Sequence, residues 1–211
     1  MTDVLRQPSL APARLVVLVS GEGSNMRALV EAAADPAWGA TVVAVGADRE
    51  CTGIDWAQAQ GIETFVHPLA RGADRSGWDR ELTELVGAHD PDLVVCAGFL
   101  KLLGEAFLIT FGGRTLNTHN SLLPAFPGTH APADALAAGV KLTGATLFLV
   151  DAGTDTGAIL AQTAVPVLDE DDVESLLERI KAAERAQLVG TVGAMVRGGW
   201  ELHGRRAVLP G

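Results

Sequence analysis

Asn117 and His119 stand two residues apart at the end of a short apolar run, Thr115–Thr118. Side chains alternate along a strand, so the two share one face. An amide can donate to a developing oxyanion, and an imidazole can donate or carry a proton. Side by side they suit acyl transfer. The plainer reading is a pair that ties down the following loop. A second stretch, Asp151-Ala-Gly-Thr-Asp155-Thr-Gly157, sets two carboxylates among glycines between apolar runs. A carboxylate aimed at an imidazole fixes its tautomer and favours its charged form. Taken alone, the stretch reads better as a turn whose aspartates cap the backbone. The third stretch is Ser20-Gly-Glu-Gly23-Ser24-Asn25. Glycines let a backbone approach an anion, and amides at a helix N-terminus point at it, helped by the helix dipole. Ser24 and Asn25 can add side-chain hydrogen bonds. A dinucleotide fingerprint needs a third glycine where Met26 stands, although Asp48 could supply its ribose-binding acid. The pattern thus favours a single phosphate over a pyrophosphate, against a bare strand-to-helix turn.

Other chemistries have less behind them. His67, His89, His130 and His203 are scattered, with no pair at i, i+4. Cys51 and Cys96 match no metal spacing. No metal is expected. There is no G-x-S-x-G elbow for a serine hydrolase. Lys and Arg number 16 against 26 Asp and Glu, a net charge of −10. Such a chain lacks a general electrostatic footprint for nucleic acid. No basic region precedes an apolar run at the N-terminus, and no apolar stretch approaches the ~18 residues that span a bilayer. A cytoplasmic protein that does not engage membranes is expected.

The elements that must position these residues alternate. Leu15–Val19 is wholly apolar, as a strand buried on both faces should be. Further strands are expected at Thr41–Ala47, Thr64–His67, Leu93–Ala97 and Thr115–Thr118, with helices at Asn25–Ala34, Ile54–Gln60 and Trp78–Ala88 between them. This alternation predicts an α/β fold, a mostly parallel twisted sheet with helices on both faces. After about residue 120 the pattern changes. A Pro/Gly-broken loop spans 121–130, a short helix Ala133–Ala138, strands Thr143–Val150 and Ile159–Val165, and a long helix Val173–Val196. A hairpin or edge strand is expected in Trp200–Leu209. Residues 1 to about 13 carry two prolines, Pro8 and Pro12, show no periodicity and read as a loose tail. The remainder, 14–211, reads as one domain.

Taken in order, these segments resemble the phosphoribosylglycinamide formyltransferases of the folate-dependent formyltransferase superfamily. The resemblance covers about residues 14–197. Its most specific part is LNTHNSLLPAFPGTH, residues 116–130, followed by DAGTDTGAIL. It implies a Rossmann-like fold with a phosphate-binding half, about 14–100, and a folate and catalytic half, about 100–200. It implies formyl transfer from 10-formyltetrahydrofolate, the co-substrate, to the amine of phosphoribosylglycinamide in purine synthesis, without a metal. Asn117 would hold the formyl oxygen as it becomes an oxyanion, and His119 would act as general acid. Asp155 would pair with His119, directly or through water, and keep it partly protonated. Gly23, Ser24 and Asn25 would bind the substrate's phosphate, and Glu184 its sugar portion. Leu100, Lys101, Leu102 and Leu103 would line the folate site, with Arg75 and Asn117 also touching folate. The chain departs from usual family residues at Asn120, Phe148, Ala133 and Ala158. A monomer or homodimer is expected. The alternatives are a formyltransferase for another amine, a formyltetrahydrofolate hydrolase, an NAD-dependent oxidoreductase, and a non-catalytic nucleotide-binding module.

Overall fold

Leu15, Val16, Val17, Leu18 and Val19 are all fully buried, and the reason lies in the layers around them. The computed structural model describes residues 4–209. In it, the first strand is β1 (Val4–Gln7), and the Leu15–Val19 run belongs to β2 (Ala13–Val19). Then come α1 (Ser24–Ala32), β3 (Ala40–Ala47), α2 (Thr52–Ala59), β4 (Glu63–Val66), α3 (Arg75–Gly87) and β5 (Leu93–Cys96). The second half adds α4 (Glu105–Phe111), β6 (Thr115–His119), α5 (Ala131–Ala137), β7 (Leu142–Leu149), β8 (Ile159–Pro166), α6 (Val173–Gly198), β9 (Trp200–His203) and β10 (Arg206–Val208).

Successive side chains of β2 point to opposite faces. Leu15, Val17 and Val19 pack with Met26 and Leu29 of α1, Ile54 of α2, and Leu188 and Val192 of α6. Val16 and Leu18 pack with Trp78, Leu82 and Val86 of α3 and with Phe107 and Phe111 of α4. A polar residue at any of these five positions would be buried without water, so the run is apolar throughout. Each such side chain contributes about 1.5–3 kcal/mol on burial.

The main sheet has seven strands in the order β4-β3-β2-β5-β6-β7-β8. From β4 to β6 the pairings are parallel, whereas β7 lies antiparallel to both β6 and β8. The chain steps outward from β2 to β3 and β4, then returns to the other side of β2 with β5. That reversal opens a crevice beyond the carboxyl ends of β2 and β5, where ligands of such sheets bind. The Ser20–Asn25 loop and the loop after β5 flank it. Among the described residues no helix is long and apolar enough to cross a membrane.

Two readings of the sequence need correction. Residues 1–13 are not wholly a loose tail: β1 pairs antiparallel with β9, which pairs with β10 in a separate three-stranded sheet. Gly199 makes this approach possible. A Cβ there would meet the carbonyl oxygen of Gln7 at 2.2 Å, and its φ is +75°. The four residues of β1 show no pattern of their own, because the partner strand sets their pairing. The second correction is α4, absent from the sequence reading. Its start lacks a local side-chain cap. Instead Asp79 of α3, buried, accepts from the backbone N–H groups of Gly104 (2.6 Å) and Phe107 (3.1 Å).

Candidate active site

β6 carries Asn117, Thr118 and His119 to the mouth of a cavity of about 280 Å³. His119 is buried, and its ring is anchored at one nitrogen and faces a carboxylate with the other. Nε2 lies 2.8 Å from the carbonyl oxygen of Phe126. A carbonyl can only accept, so Nε2 carries a hydrogen. Nδ1 is left facing Asp155, 3.6 Å from its Oδ2. That is too long for a direct hydrogen bond and leaves the exchangeable position of the ring inside the cavity. The Asn117 amide also faces the cavity and makes no side-chain hydrogen bond among the described residues.

The loop after β6 is built to hold Phe126 in place. The Ser121 hydroxyl donates to the carbonyl of Ala125 at 2.5 Å. Thr146 of β7 donates to the Ser121 carbonyl at 2.6 Å and accepts from the Leu123 N–H at 3.0 Å. Gln162 of β8 donates to the Leu123 carbonyl at 2.8 Å. The two antiparallel strands thus fix the loop that fixes the imidazole. The two aspartates of the 151–157 turn divide the roles between them. Asp151 caps the turn, accepting from the Gly153 N–H at 3.0 Å and the Thr156 hydroxyl at 2.6 Å. Asp155 turns inward, where it accepts from the Gly128 N–H at 2.8 Å and faces His119.

Leu100, Lys101, Leu102 and Leu103 line the cavity rim. Leu100 and Leu102 are 62% and 63% exposed, an apolar lip with nothing over it. Arg75 does not line the cavity. It is the first residue of α3, lies over the Trp78 ring at 4.6 Å, and donates to the Leu102 carbonyl. Lys101 reaches Asp48 at 3.3 Å. The Asp48 side chain has no exposed surface. Burial pushes its carboxyl up, but hydrogen bonds from Arg49, Ser20 and Lys101 outweigh that and hold it below the ordinary 3.8. It is not free to bind a ribose, so the dinucleotide reading loses its acid.

At the Ser20–Asn25 loop, Gly23 is the N-cap of α1, with φ +70°, and no side chain caps the helix. A Cβ at Gly23 would meet Met26 Cε at 2.9 Å. The first-turn amides of α1 are therefore left for something else. The Asn25 side chain is engaged elsewhere, while its backbone N–H lies in the first turn of α1. Its side chain is buried, and its Nδ2 donates to Glu184 Oε1 of α6 and, at 3.5 Å, to Thr118. Asn25 Oδ1 and Glu184 Oε2 have no partner. Burial pushes the Glu184 carboxyl above its ordinary 4.5, opposed by hydrogen bonds from Asn25 and Thr118. Glu184 lines the cavity beside His119. Cys96, at its floor, has its thiol pushed up to about 12 by complete burial and is no nucleophile.

Residues 13–192 match the family model described as formyl transferase. The phosphoribosylglycinamide formyltransferase of Mycobacterium tuberculosis is 56% identical over 99% of this chain and 97% of its own length. The chain belongs to the phosphoribosylglycinamide formyltransferase family. The structure of glycinamide ribonucleotide transformylase 1 from Symbiobacterium toebii superposes with a TM-score of 0.91, at 36% identity over 94% of each chain. A formyltetrahydrofolate deformylase from Pseudomonas syringae pv. tomato shares the fold, with a TM-score of 0.85 over 93% of this chain and 66% of its own. Several residues of this formyltransferase site escaped the sequence reading. Thr118 was passed over between its neighbours, and Thr146, Gln162 and Asp79 act through distant backbone groups. No spacing in the sequence marks them, because their partners are 16 to 93 residues away.

Proposed function

We propose that this chain transfers the formyl group of 10-formyltetrahydrofolate to the amine of phosphoribosylglycinamide. The observation that carries this reading is the facing pair His119 Nδ1 and Asp155 Oδ2, 3.6 Å apart, beside the Asn117 amide. The substrate amine attacks the formyl carbon, and Asn117 donates to the oxygen as it becomes negative. As the bond from the formyl carbon to the folate nitrogen breaks, His119 delivers a proton from Nδ1 to that nitrogen while its Nε2–H stays on Phe126, and the proton that the attacking amine releases returns to the vacated Nδ1. Asp155 faces Nδ1 and keeps the imidazole oriented while it carries that proton. Each group acts on charge that appears in the transition state. The exposed Leu100–Leu102 lip suits the flat ring system of the folate, and the uncapped start of α1 suits the phosphate. Glu184 lies between them, within reach of the ribose.

The test is absorbance of the tetrahydrofolate product, with and without phosphoribosylglycinamide. Product only in its presence is expected, and Asn117→Ala should lower turnover by about 10²–10³-fold. Equal product formation in its absence would make the protein a hydrolase, and near-normal turnover of the variant would remove Asn117 from the mechanism.

A further inference from the structure

Asp48 is a buried carboxylate that the mechanism leaves unused, at a place where the two ligand-binding loops meet. It ends β3 and draws together groups from three segments. Arg49 Nη2 lies 2.7 Å from its Oδ2, and Lys101 Nζ lies 3.3 Å from the same atom. The Ser20 hydroxyl, on the last residue before the glycine loop, is near enough to help hold its carboxyl below the ordinary value. Ser20 Oγ in turn accepts from the N–H of Leu100 at 2.9 Å. With its lone pair on the Leu100 amide, Ser20 has its one proton free to turn toward the carboxylate. The lip is thus held twice, by the Leu100 amide on Ser20, whose hydroxyl neighbours Asp48, and by Lys101, the lip's next residue, paired with Asp48 itself.

We infer that Asp48 is a positioning residue for the reaction: it locks the Leu100–Leu103 lip against the carboxyl ends of β2 and β3 in the shape that receives the folate. This rests on the function proposed above. The lip is short and its two leucines are largely exposed, so packing alone does not fix it. Its far end is tied by Asp79 to Gly104. Its near end depends on Asp48. Charge-assisted hydrogen bonds to a buried carboxylate are the strong kind, and a neutral amide of the same shape cannot accept from Ser20, Arg49 and Lys101 together.

The experiment measures binding of tetrahydrofolate and of phosphoribosylglycinamide separately, by titration, to the wild type, Asp48→Asn, Ser20→Ala and the double variant, with steady-state kinetics alongside. Asp48→Asn should weaken folate binding and raise its KM by about ten-fold or more, the loss of one charge-assisted bond. The KM for the ribonucleotide and the kcat at saturation should change by less than about three-fold. Ser20→Ala should show the same folate-selective loss, and the double variant should lose less than the product of the two, since both hold the same lip. Unchanged folate affinity in a folded Asp48→Asn or Ser20→Ala protein would overturn the inference. An equal loss for both substrates would also overturn it, leaving Asp48 a general stabiliser. Wild-type protein that binds no folate would sink the functional proposal and this inference with it.

Discussion

His119 uses its two ring nitrogens for different ends: one is anchored on a backbone carbonyl, and the other faces a carboxylate across the cavity. The same division appears in Glu184. Oε1 takes the Asn25 amide, and Oε2 has no partner. Burial raises its carboxyl above 4.5, so the folded protein keeps a proton that the unfolded chain loses near that pH. Below that value both states are protonated and nothing is lost. As pH rises from the unfolded value toward the raised folded one, the unfolded state binds fewer protons, and stability falls. Glu184→Gln removes this linkage while keeping an acceptor for Asn25. The melting temperature of the variant, compared with wild type without ligand, should gain on it as pH rises from about 4.5 to 7. A difference that stays constant with pH would mean that Glu184 is charged in the folded protein.

The start of α1, like those of α2, α4 and α5, has no side-chain cap, and what sets it apart is its place at the crevice. The start of α3 is capped by Asp74, and α6 begins with a reciprocal capping box between Asp172 and Ser175. The first turn of α1 has Gly23 and no side-chain cap, at the crevice that the strand order opens. Uncapped amides beside a ligand site are an anion's partners. Gly23→Val should lose the preference for phosphorylated substrate, since a side chain at φ +70° is strained and its Cβ would meet Met26 at 2.9 Å. Binding of phosphorylated and dephosphorylated substrate to wild type should differ by more than about ten-fold, and in the variant by much less. Equal affinities in the wild type would take the phosphate away from this loop.

Across the whole molecule, α6 joins the two halves of the chain. It packs on β7 and β8, which clamp the loop after β6, and on α1, which starts at the Ser20–Asn25 loop. Leu188 of α6 is 1% exposed and sits in the same cluster as Leu15, Val17 and Ile54. Leu188→Ala should cost about 3 kcal/mol, with a cavity left where the side chain was. The melting midpoint should fall by roughly 6–12 °C for a chain of this size. The whole transition should move together, by tryptophan fluorescence and by circular dichroism alike. Two separated transitions would show that the halves unfold independently and that α6 does not couple them.

The central strands, the helices between them and the neighbourhood of Asn117 and His119 were legible because each rests on a local pattern. An apolar run of five marks a strand buried on both faces, alternation puts Asn117 and His119 on one side, and a glycine loop marks the turn into a helix. The inward turn of Asp155 was not local. The pattern alone favoured a turn cap, which is what Asp151 became, and only the resemblance singled out Asp155. Which of the two carboxylates reaches the imidazole depends on the antiparallel register of β7 and β8 against β6. Asn25 read as a phosphate ligand because its neighbours did, and nothing local showed that a buried glutamate 159 residues away holds its side-chain amide. β1 and α4 were invisible for the same reason: one is paired and the other capped by groups distant in the chain. Periodicity and turn chemistry are written in adjacent residues and survive in the sequence by themselves. Hydrogen bonds between segments depend on where the sheet order brings them, and that was decided only when the chain folded.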